Sequence, residues 1–124
     1  HEHHGDGLRL AGLQAYHGRA QHLRSVAERQ AAIRQTVARA AQARDALLDA
    51  GLPCPLVTGG GTGSFEIEST SGVYGEIQPG SYLFMDRDYA DNDPSPGRPV
   101  FEAALFVKAR VISRRPGQAV IDAG

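Results

Sequence analysis

The longest regular pattern in the chain is a helical repeat that begins after Ser25 and ends at about Ala50. Ser25 and Glu28 have the spacing of a capping box, in which each side chain satisfies a free backbone amide of the first turn. Gly51 and Pro53 then end the helix, because glycine favours the left-handed cap and proline cannot continue a helix. One apolar face follows from the positions that recur at near-helical spacing: Val26, Ile33, Val37, Ala40, Ala41, Leu47 and Leu48.

Short apolar runs on both sides of this helix predict strands. Leu8–Tyr16 is expected to form a largely buried strand before the helix, and Leu56–Thr58 another one after it. Further strands are predicted at Val73–Ile77 and Ser81–Asp86. Because strand, helix and strand alternate, the fold class is α/β with a parallel sheet.

The last part of the chain has a different pattern. Asp91–Pro99 is rich in Asp, Pro and Gly and predicts a loop. Val100–Ile112 is a long β-type run, and the turn residues Arg114–Gly117 lead to a return strand at Gln118–Ile121, so an antiparallel hairpin is expected. We therefore predict a domain boundary between Asp93 and Pro99, with units at residues 1–95 and 96–124.

Composition and charge narrow the classes of partner. The chain has 124 residues, the size of one ordinary domain, with 13 basic and 14 acidic residues. This balance predicts no nucleic-acid partner, and the arginines at every fifth position from Arg24 to Arg44 spread around the helix instead of forming a stripe. No apolar run approaches the roughly 20 residues of a membrane span, so no membrane partner is expected.

The termini and the cysteine content add three expectations. The chain does not begin with Met and stops just after the apolar run Ala119–Ile121, so we expect a piece of a longer protein. Cys54 is the single cysteine and cannot form an internal disulfide, which favours a reducing cytoplasm. His1, His3 and His4 could bind a metal, but a disordered or artificially added terminus is the favoured interpretation.

The segment Leu56–Ser64 carries the strongest chemical signal. A short β-type run leads into Gly59-Gly60-Gly61-Thr62-Gly63-Ser64, and glycines leave backbone amides accessible because they have no Cβ. Consecutive free amides form an anion-binding nest, most often for a phosphate. The loop lacks the Lys of a P-loop, and Ser64 stands where a dinucleotide fingerprint needs glycine. We favour a phosphate site over a plain structural turn.

Two other motifs are weaker. Gly80 and Ser81 are typical of a bulge or bend, but they could also offer amides and a hydroxyl to the same phosphate. Four aspartates follow at close spacing, and they do not fit the calcium-loop pattern because the turn glycine is missing. We interpret them as a solvated acidic loop: Asp86, Asp88, Asp91 and Asp93.

Four motifs resemble, in order and spacing, the D-threonine aldolase and D-serine dehydratase family of pyridoxal-phosphate enzymes, and most of all its 3-hydroxy-D-aspartate aldolase branch. They are Gly12–Tyr16, Thr58–Ser64, Glu76–Tyr89 and Ala119–Gly124. The resemblance covers nearly the whole chain from about Gly7. It implies an alanine-racemase-like fold, of which this chain is the C-terminal third of the (β/α)8 barrel followed by the first strands of the β-domain. Phosphate sites commonly lie in the loops after strands 7 and 8 of such barrels.

The resemblance also implies site residues. Gly61 and Thr62 would contact the cofactor from the glycine loop, Gly80 and Ser81 would hold its phosphate, and Tyr89 would close the site. Tyr16 and Gln21 would lie near the edge of the cofactor ring. The family's Schiff-base lysine and its His and Asp metal ligands match no position here, and Lys108 is not in the lysine motif. This chain is therefore expected to hold no catalytic residue and no metal ligand.

The function that the resemblance implies is cleavage of D-3-hydroxy amino acids, such as 3-hydroxy-D-aspartate or D-threonine, to glycine and an aldehyde. Pyridoxal 5′-phosphate would be the cofactor, and a divalent metal (Mg or Mn) would be bound by other parts of the parent protein, a homodimer. Two alternatives stay open: D-serine dehydration within the same family, and a non-catalytic fragment that binds a phosphorylated ligand. The chain alone is expected to be inactive.

Overall fold

The computed structural model of the chain describes Gly7 and residues 9–123. His1, His3 and His4, which the sequence offered as metal ligands, lie outside the described residues.

Three short parallel strands form the first sheet. They are β1 (Leu13–Gln14), β2 (Val57–Gly59) and β3 (Glu76–Ile77), with β2 in the middle. Leu13 pairs with Val57 and Thr58 pairs with Glu76, both in parallel register. The parallel α/β arrangement predicted from the sequence is confirmed. The predicted first strand was too long and too buried, because pairing covers only two of its residues and most of the others are exposed or half-buried.

Helix α1 (Val26–Asp49) follows β1, as the capping box predicted. The Ser25 side chain accepts a hydrogen bond from the Glu28 amide. At the other end Gly51 has φ +75°, and its amide donates to the Leu48 carbonyl while the Leu52 amide donates to the Leu47 carbonyl. These two bonds form a Schellman motif, so the glycine stop is confirmed.

Helices α2 (Phe65–Ser69) and α3 (Arg87–Ala90) are short, and two 3₁₀ turns accompany them at Gly18–His22 and Ser81–Leu83. The second turn corrects the strand predicted at Ser81–Asp86. There the chain reverses, because the Met85 amide donates to the Ser81 carbonyl at 2.7 Å and Met85 adopts the left-handed region with φ +51°. An extended strand cannot contain this bond.

The predicted C-terminal hairpin is confirmed. Strands β4 (Val111–Arg115) and β5 (Gln118–Ile121) pair antiparallel, and Gly117 supplies the positive φ of the turn. The strand predicted from Val100 begins only at Val111, because residues 100–110 find no neighbouring strand within the described part of the chain. Most of this run is exposed, with Phe106 at 77%. The division into units 1–95 and 96–124 stays a prediction.

The core lies between α1, α2 and the parallel sheet. Ile33 and Ala20 are fully buried, and Val57 is nearly so. Arg29 of α1 is also buried, at 1% exposure, because its guanidinium donates to the carbonyl oxygens of Leu23, Arg24 and Asp93 at 2.5–2.7 Å. Of the predicted apolar face, Ile33 and Ala40 are buried, whereas Leu48 is 52% exposed. Among the described residues, no helix has the length and apolar character needed to cross a membrane.

Candidate phosphate-binding site

The two glycine-containing segments predicted to hold a phosphate meet at one edge of the sheet. Gly60–Ser64 follows β2 and Gly80–Ser81 follows β3, so both lie at the carboxyl ends of neighbouring parallel strands. The Thr62 hydroxyl accepts a hydrogen bond from the Tyr82 amide at 3.1 Å, which joins the segments directly. Thr62 itself is 2% exposed. The structure therefore brings together four of the residues predicted for the site.

Close packing explains why this loop needs glycines. A Cβ on Gly59 would lie 2.6 Å from the Ala15 carbonyl oxygen, and one on Gly63 would lie 2.7 Å from that of Gln21. A Cβ on Gly61 would approach the Gln21 side-chain oxygen to 2.5 Å and the Tyr16 hydroxyl to 2.8 Å. Part of the glycine signal therefore comes from contact with the segment after β1, the structural explanation that the sequence did not favour.

The glycine loop also has backbone amides that are available to an anion. The Gly63 amide donates to Gln21 Oε1 at 2.8 Å, and the Ser64 amide donates to the Gly61 carbonyl at 3.0 Å. Within Gly7 and residues 9–123, the amides of Gly61 and Thr62 find no acceptor in the protein. Nothing lies within 4 Å of the place where a Cβ of Gly80 would stand. The glycine loop therefore keeps two free backbone donors, and free amides of this kind are what an anion-binding nest uses.

A buried chain of polar side chains supports the loop from behind. Gln21 Nε2 donates to the Ser64 hydroxyl at 2.7 Å, and that hydroxyl donates to Glu68 Oε1 at 3.0 Å. Gln21, Ser64 and Glu68 are all 0% exposed. Burial raises the pKa of the Glu68 carboxyl to about 7, against the lowering effect of the Ser64 hydrogen bond. Gln21 thus supports the glycine loop, and its position near the cofactor ring stays a prediction.

Two tyrosines lie near the glycine loop. The Tyr16 hydroxyl faces Gly61, and burial followed by the neighbouring Tyr89 raises the pKa of Tyr16. Tyr89 lies in α3 and its ring packs against His22, with 5.5 Å between ring centroids. Tyr89 also lines a cleft of about 210 Å³ together with Thr62. Gly80 and Ser81 do not line this cleft, so Thr62 is the one other predicted site residue that lines it together with Tyr89.

A cluster of charges fixes the position of α3. Asp88 accepts hydrogen bonds from Arg24 and from the His22 ring, and these contacts, that of Arg24 first, hold the pKa of Asp88 below its ordinary value. Asp86 caps the helix by accepting from the Tyr89 amide at 2.9 Å. Both aspartates are exposed, as a solvated acidic segment requires, but Asp88 lies in α3 and not in a loop.

Arg98 is a further residue of the site that the sequence did not single out. Its guanidinium donates to the Thr62 carbonyl oxygen, lies 3.5 Å from Glu66 Oε1 and stacks over the Phe65 ring at 5.1 Å from its centroid. It comes from the predicted interdomain loop, where no periodic pattern marks it. Glu68 was missed for a similar reason, although its spacing of four residues from Ser64 on a short helix could have suggested the contact.

Comparison with known proteins identifies the sequence relatives of this segment. The chain is 48% identical over 119 residues to a D-threonine aldolase of Arthrobacter sp., and 43% identical over 122 residues to a 3-hydroxy-D-aspartate aldolase of Paracoccus denitrificans; these alignments cover 95% and 94% of the chain. A D-threo-3-hydroxyaspartate dehydratase of Delftia sp. is 33% identical over 123 residues, or 98% of the chain. The chain spans about a third of the length of each, 31–32%. No protein-family model matches it.

A solved structure of a D-threonine aldolase also matches the chain. The chain superimposes on a D-threonine aldolase from Filomicrobium marinum with a TM-score of 0.86 and 52% identity, covering 99% of this chain and 33% of the other. The resemblance to the aldolase family is therefore confirmed, and the chain is homologous to one third of these enzymes.

Proposed function

We propose that this chain, a homologue of one third of the D-threonine and 3-hydroxy-D-aspartate aldolases, is the cofactor-phosphate-binding segment of a pyridoxal-phosphate-dependent carbon–carbon lyase. The parent protein would cleave a D-3-hydroxy amino acid, 3-hydroxy-D-aspartate or D-threonine, to glycine and an aldehyde. The observation that carries the proposal is the pair of loops at neighbouring strand ends, joined by the bond between Thr62 and Tyr82. The identity to both kinds of aldolase over nearly the whole chain supports the reaction class.

Within this proposal the segment is the C-terminal third of a (β/α)8 barrel, residues 1–95, with the start of a β-domain at residues 96–124. Strand–helix–strand order with parallel pairing is consistent with the first unit, and the antiparallel hairpin with the second. The position of a phosphate site after two late strands agrees with the general anatomy of such barrels.

In the proposed site the amides of Gly61 and Thr62 and the Ser81 hydroxyl would donate to the phosphate, with Gly80 leaving room for it. Tyr89 would cover the site from α3. The bound cofactor supplies an electron sink for the pair released from the cleaved Cα–Cβ bond. This segment contributes binding and orientation, because its free amides can hold a dianion without adding a charged side chain.

Other parts of the parent protein would supply the reactive lysine and the ligands of a divalent metal, Mg or Mn, that polarises the β-hydroxyl. We also retain the proposals of a homodimer and of a cytoplasmic location. Buried, free Cys54 is compatible with a reducing compartment.

The test uses the full-length protein that contains this segment. Pyridoxal phosphate should bind, and borohydride reduction should fix it on a lysine outside residues 1–124, as peptide mass spectrometry would show. Incubation with D-threonine or 3-hydroxy-D-aspartate should release glycine. Absence of binding and trapping would refute the cofactor assignment. Binding without glycine release, but with ammonia and a keto acid formed from D-serine, would establish the D-serine dehydratase alternative; the Delftia relative, a dehydratase of another substrate, is 33% identical to the chain.

Ser81→Ala and Thr62→Ala should each weaken cofactor binding in the same protein, because the first removes a proposed phosphate donor and the second removes the acceptor of the Tyr82 amide that joins the two loops. Unchanged affinity in both variants would contradict the assignment of the site while leaving the reaction class untouched.

A further inference from the structure

Glu68 is a buried carboxyl that the proposed chemistry does not use. It belongs to α2, its exposed fraction is 0%, and its side chain lies directly behind the glycine loop. A Cβ on Gly60 would stand 3.4 Å from Glu68 Cβ and 3.5 Å from its carboxyl carbon. The second carboxyl oxygen, Oε2, has no hydrogen-bond partner in the described part of the chain. Such a group is costly to bury in its charged form.

The first carboxyl oxygen is connected to the loop through two side chains. Glu68 Oε1 accepts from the Ser64 hydroxyl, which accepts from Gln21, and Gln21 Oε1 accepts from the Gly63 amide. In this series of hydrogen bonds each side-chain atom has a single role, either donor or acceptor, towards its neighbour. The Gly63 amide is thereby turned towards Gln21, and the chain of bonds fixes the backbone on the C-terminal side of the free Gly61 and Thr62 amides.

The charge of Glu68 matters because the loop is to receive an anion. The titratable groups that face Glu68 are the phenols of Tyr16 and Tyr74 and the carboxylate of Glu66. None of these groups is a cation, and the cations of this region, Arg98 and Arg29, interact with Glu66. A negative carboxylate directly behind the loop would therefore oppose a bound phosphate.

We propose that Glu68 is a positioning residue of the phosphate site, which holds the glycine loop through Ser64 and Gln21 and does so with its carboxyl protonated. This inference rests on the proposed function, because it needs an anion in the loop. Glu68 touches no reacting atom, and its effect on the ligand passes through the backbone of residues 61–63. Burial raises the pKa of Glu68 to about 7, so the protonated carboxyl is the main form below pH 7 and about half of the groups are protonated at neutral pH.

The experiment measures binding of pyridoxine 5′-phosphate to the cofactor-free full-length protein. This probe carries the phosphate but no aldehyde, so the lysine plays no part in the titration. At about pH 6, Glu68→Gln should bind within about twofold of wild type, because the amide keeps a neutral acceptor for Ser64. Glu68→Ala and Ser64→Ala should each bind about tenfold more weakly, since a buried partner is left unsatisfied. Unphosphorylated pyridoxine should bind all variants alike.

Between about pH 6 and pH 8.5 the wild type should lose affinity relative to Glu68→Gln. Below the raised pKa the carboxyl is neutral and binding is full; above it the carboxylate opposes the phosphate. A shift of one pKa unit on binding corresponds to about tenfold in affinity, so a several-fold change of the ratio is expected. A group that only fills space would leave this ratio constant. The control is Glu28→Ala, which removes an exposed carboxylate from the first turn of α1. Its pyridoxine phosphate affinity should change with pH as that of wild type does.

The outcomes distinguish a failure of the proposed function from a failure of the role proposed for Glu68. If wild type does not bind pyridoxine phosphate, the proposed function fails. If wild type binds and Ser64→Ala binds equally well, or Glu68→Gln is as weak as Glu68→Ala at pH 6, or the pH ratio is flat, the role of Glu68 is refuted. If Glu68→Ala does not fold, Ser64→Ala and Glu68→Gln decide the question.

Discussion

Gly61 and Gly80 belong to the same proposed site, yet the structure predicts opposite consequences for the same substitution. In Gly61→Ala the new methyl carbon would stand 2.5 Å from Gln21 Oε1 and 2.8 Å from the Tyr16 hydroxyl. Contacts between carbon and oxygen are normally about 3.3 Å or longer, so the Gln21 side chain has to move. In Gly80→Ala the methyl group meets no atom within 4 Å, and φ is −117°, which any residue adopts.

The magnitudes follow from these distances. Moving Gln21 strains or breaks its bonds to Gly63 and Ser64, and overpacking of this kind costs about 1–3 kcal/mol. An exposed substitution without a clash changes the free energy of unfolding by about 0.5 kcal/mol or less. The methyl group of Gly80→Ala instead occupies the space proposed for the phosphate. It should weaken pyridoxine phosphate binding by about tenfold, which corresponds to about 1.4 kcal/mol.

Two measurements on the cofactor-free full-length protein separate these effects: chemical unfolding and titration with pyridoxine phosphate. Gly61→Ala should lower stability and affinity together, whereas Gly80→Ala should lower affinity alone. If Gly61→Ala were as stable as wild type, the close packing of the loop would be wrong. If Gly80→Ala bound the probe normally, the open space beside Gly80 would not be the phosphate site.

Three further predictions concern other contacts. Thr62→Val should weaken pyridoxine phosphate binding about fivefold, because the Tyr82 amide loses its acceptor. Thr62→Ser retains the hydroxyl and should bind like wild type. Equal titration curves for the two variants would contradict the link between the loops. Arg29→Ala should destabilise the protein by about 3 kcal/mol in urea unfolding, since it removes a buried cation from three carbonyl oxygens, and a loss below about 1 kcal/mol would not fit. Hydrogen bonds from Arg24 and then His22 lower the pKa of Asp88 from 3.8, so the stabilising effect of its carboxylate is present above that pH and disappears as the pH falls through the lowered value. Asp88→Asn should therefore reduce the thermal midpoint at pH 7 but not in strong acid, and a pH-independent difference would argue against the ion pair with Arg24.

Local sequence signals were sufficient where a local interaction decides the structure. The capping box at Ser25 and the stop at Gly51 predicted α1 almost to the residue, because both act within one turn of the helix. The hairpin at the C-terminus was predictable from its turn residues for the same reason. These elements need few contacts from the rest of the chain.

The strands were less predictable because pairing depends on distant neighbours. Val100–Val107 has a strong β-type composition but no partner strand in the described region, and Ser81–Asp86 turns back on itself through the Met85–Ser81 bond. Composition describes what a segment prefers, and tertiary contacts decide whether a strand forms.

For the site, the glycine loop was recognisable, but its supports were not. Glu68 and Arg98 reach the loop from a short helix and an irregular segment, and only the folded structure brings them to Ser64 and Thr62. The contacts of Gln21 were not predictable either. The resemblance implied a position near the cofactor ring, which stays a prediction, and the structure adds its hydrogen bonds to Ser64 and Gly63.

The close approach between Gln21 and the glycines at positions 61 and 63 has a consequence for the divergence of related sequences. A side chain at position 63 would meet the backbone of Gln21, 2.7 Å from its carbonyl oxygen, whereas a side chain at position 61 would meet the ends of the Gln21 and Tyr16 side chains. Homologues that carry Ala at position 61 should therefore carry a shorter residue than Gln at position 21. In an alignment of the family, the two positions should vary together although 40 residues separate them. Directed evolution of the glycine loop at position 61 should likewise succeed more often in libraries that also randomise position 21.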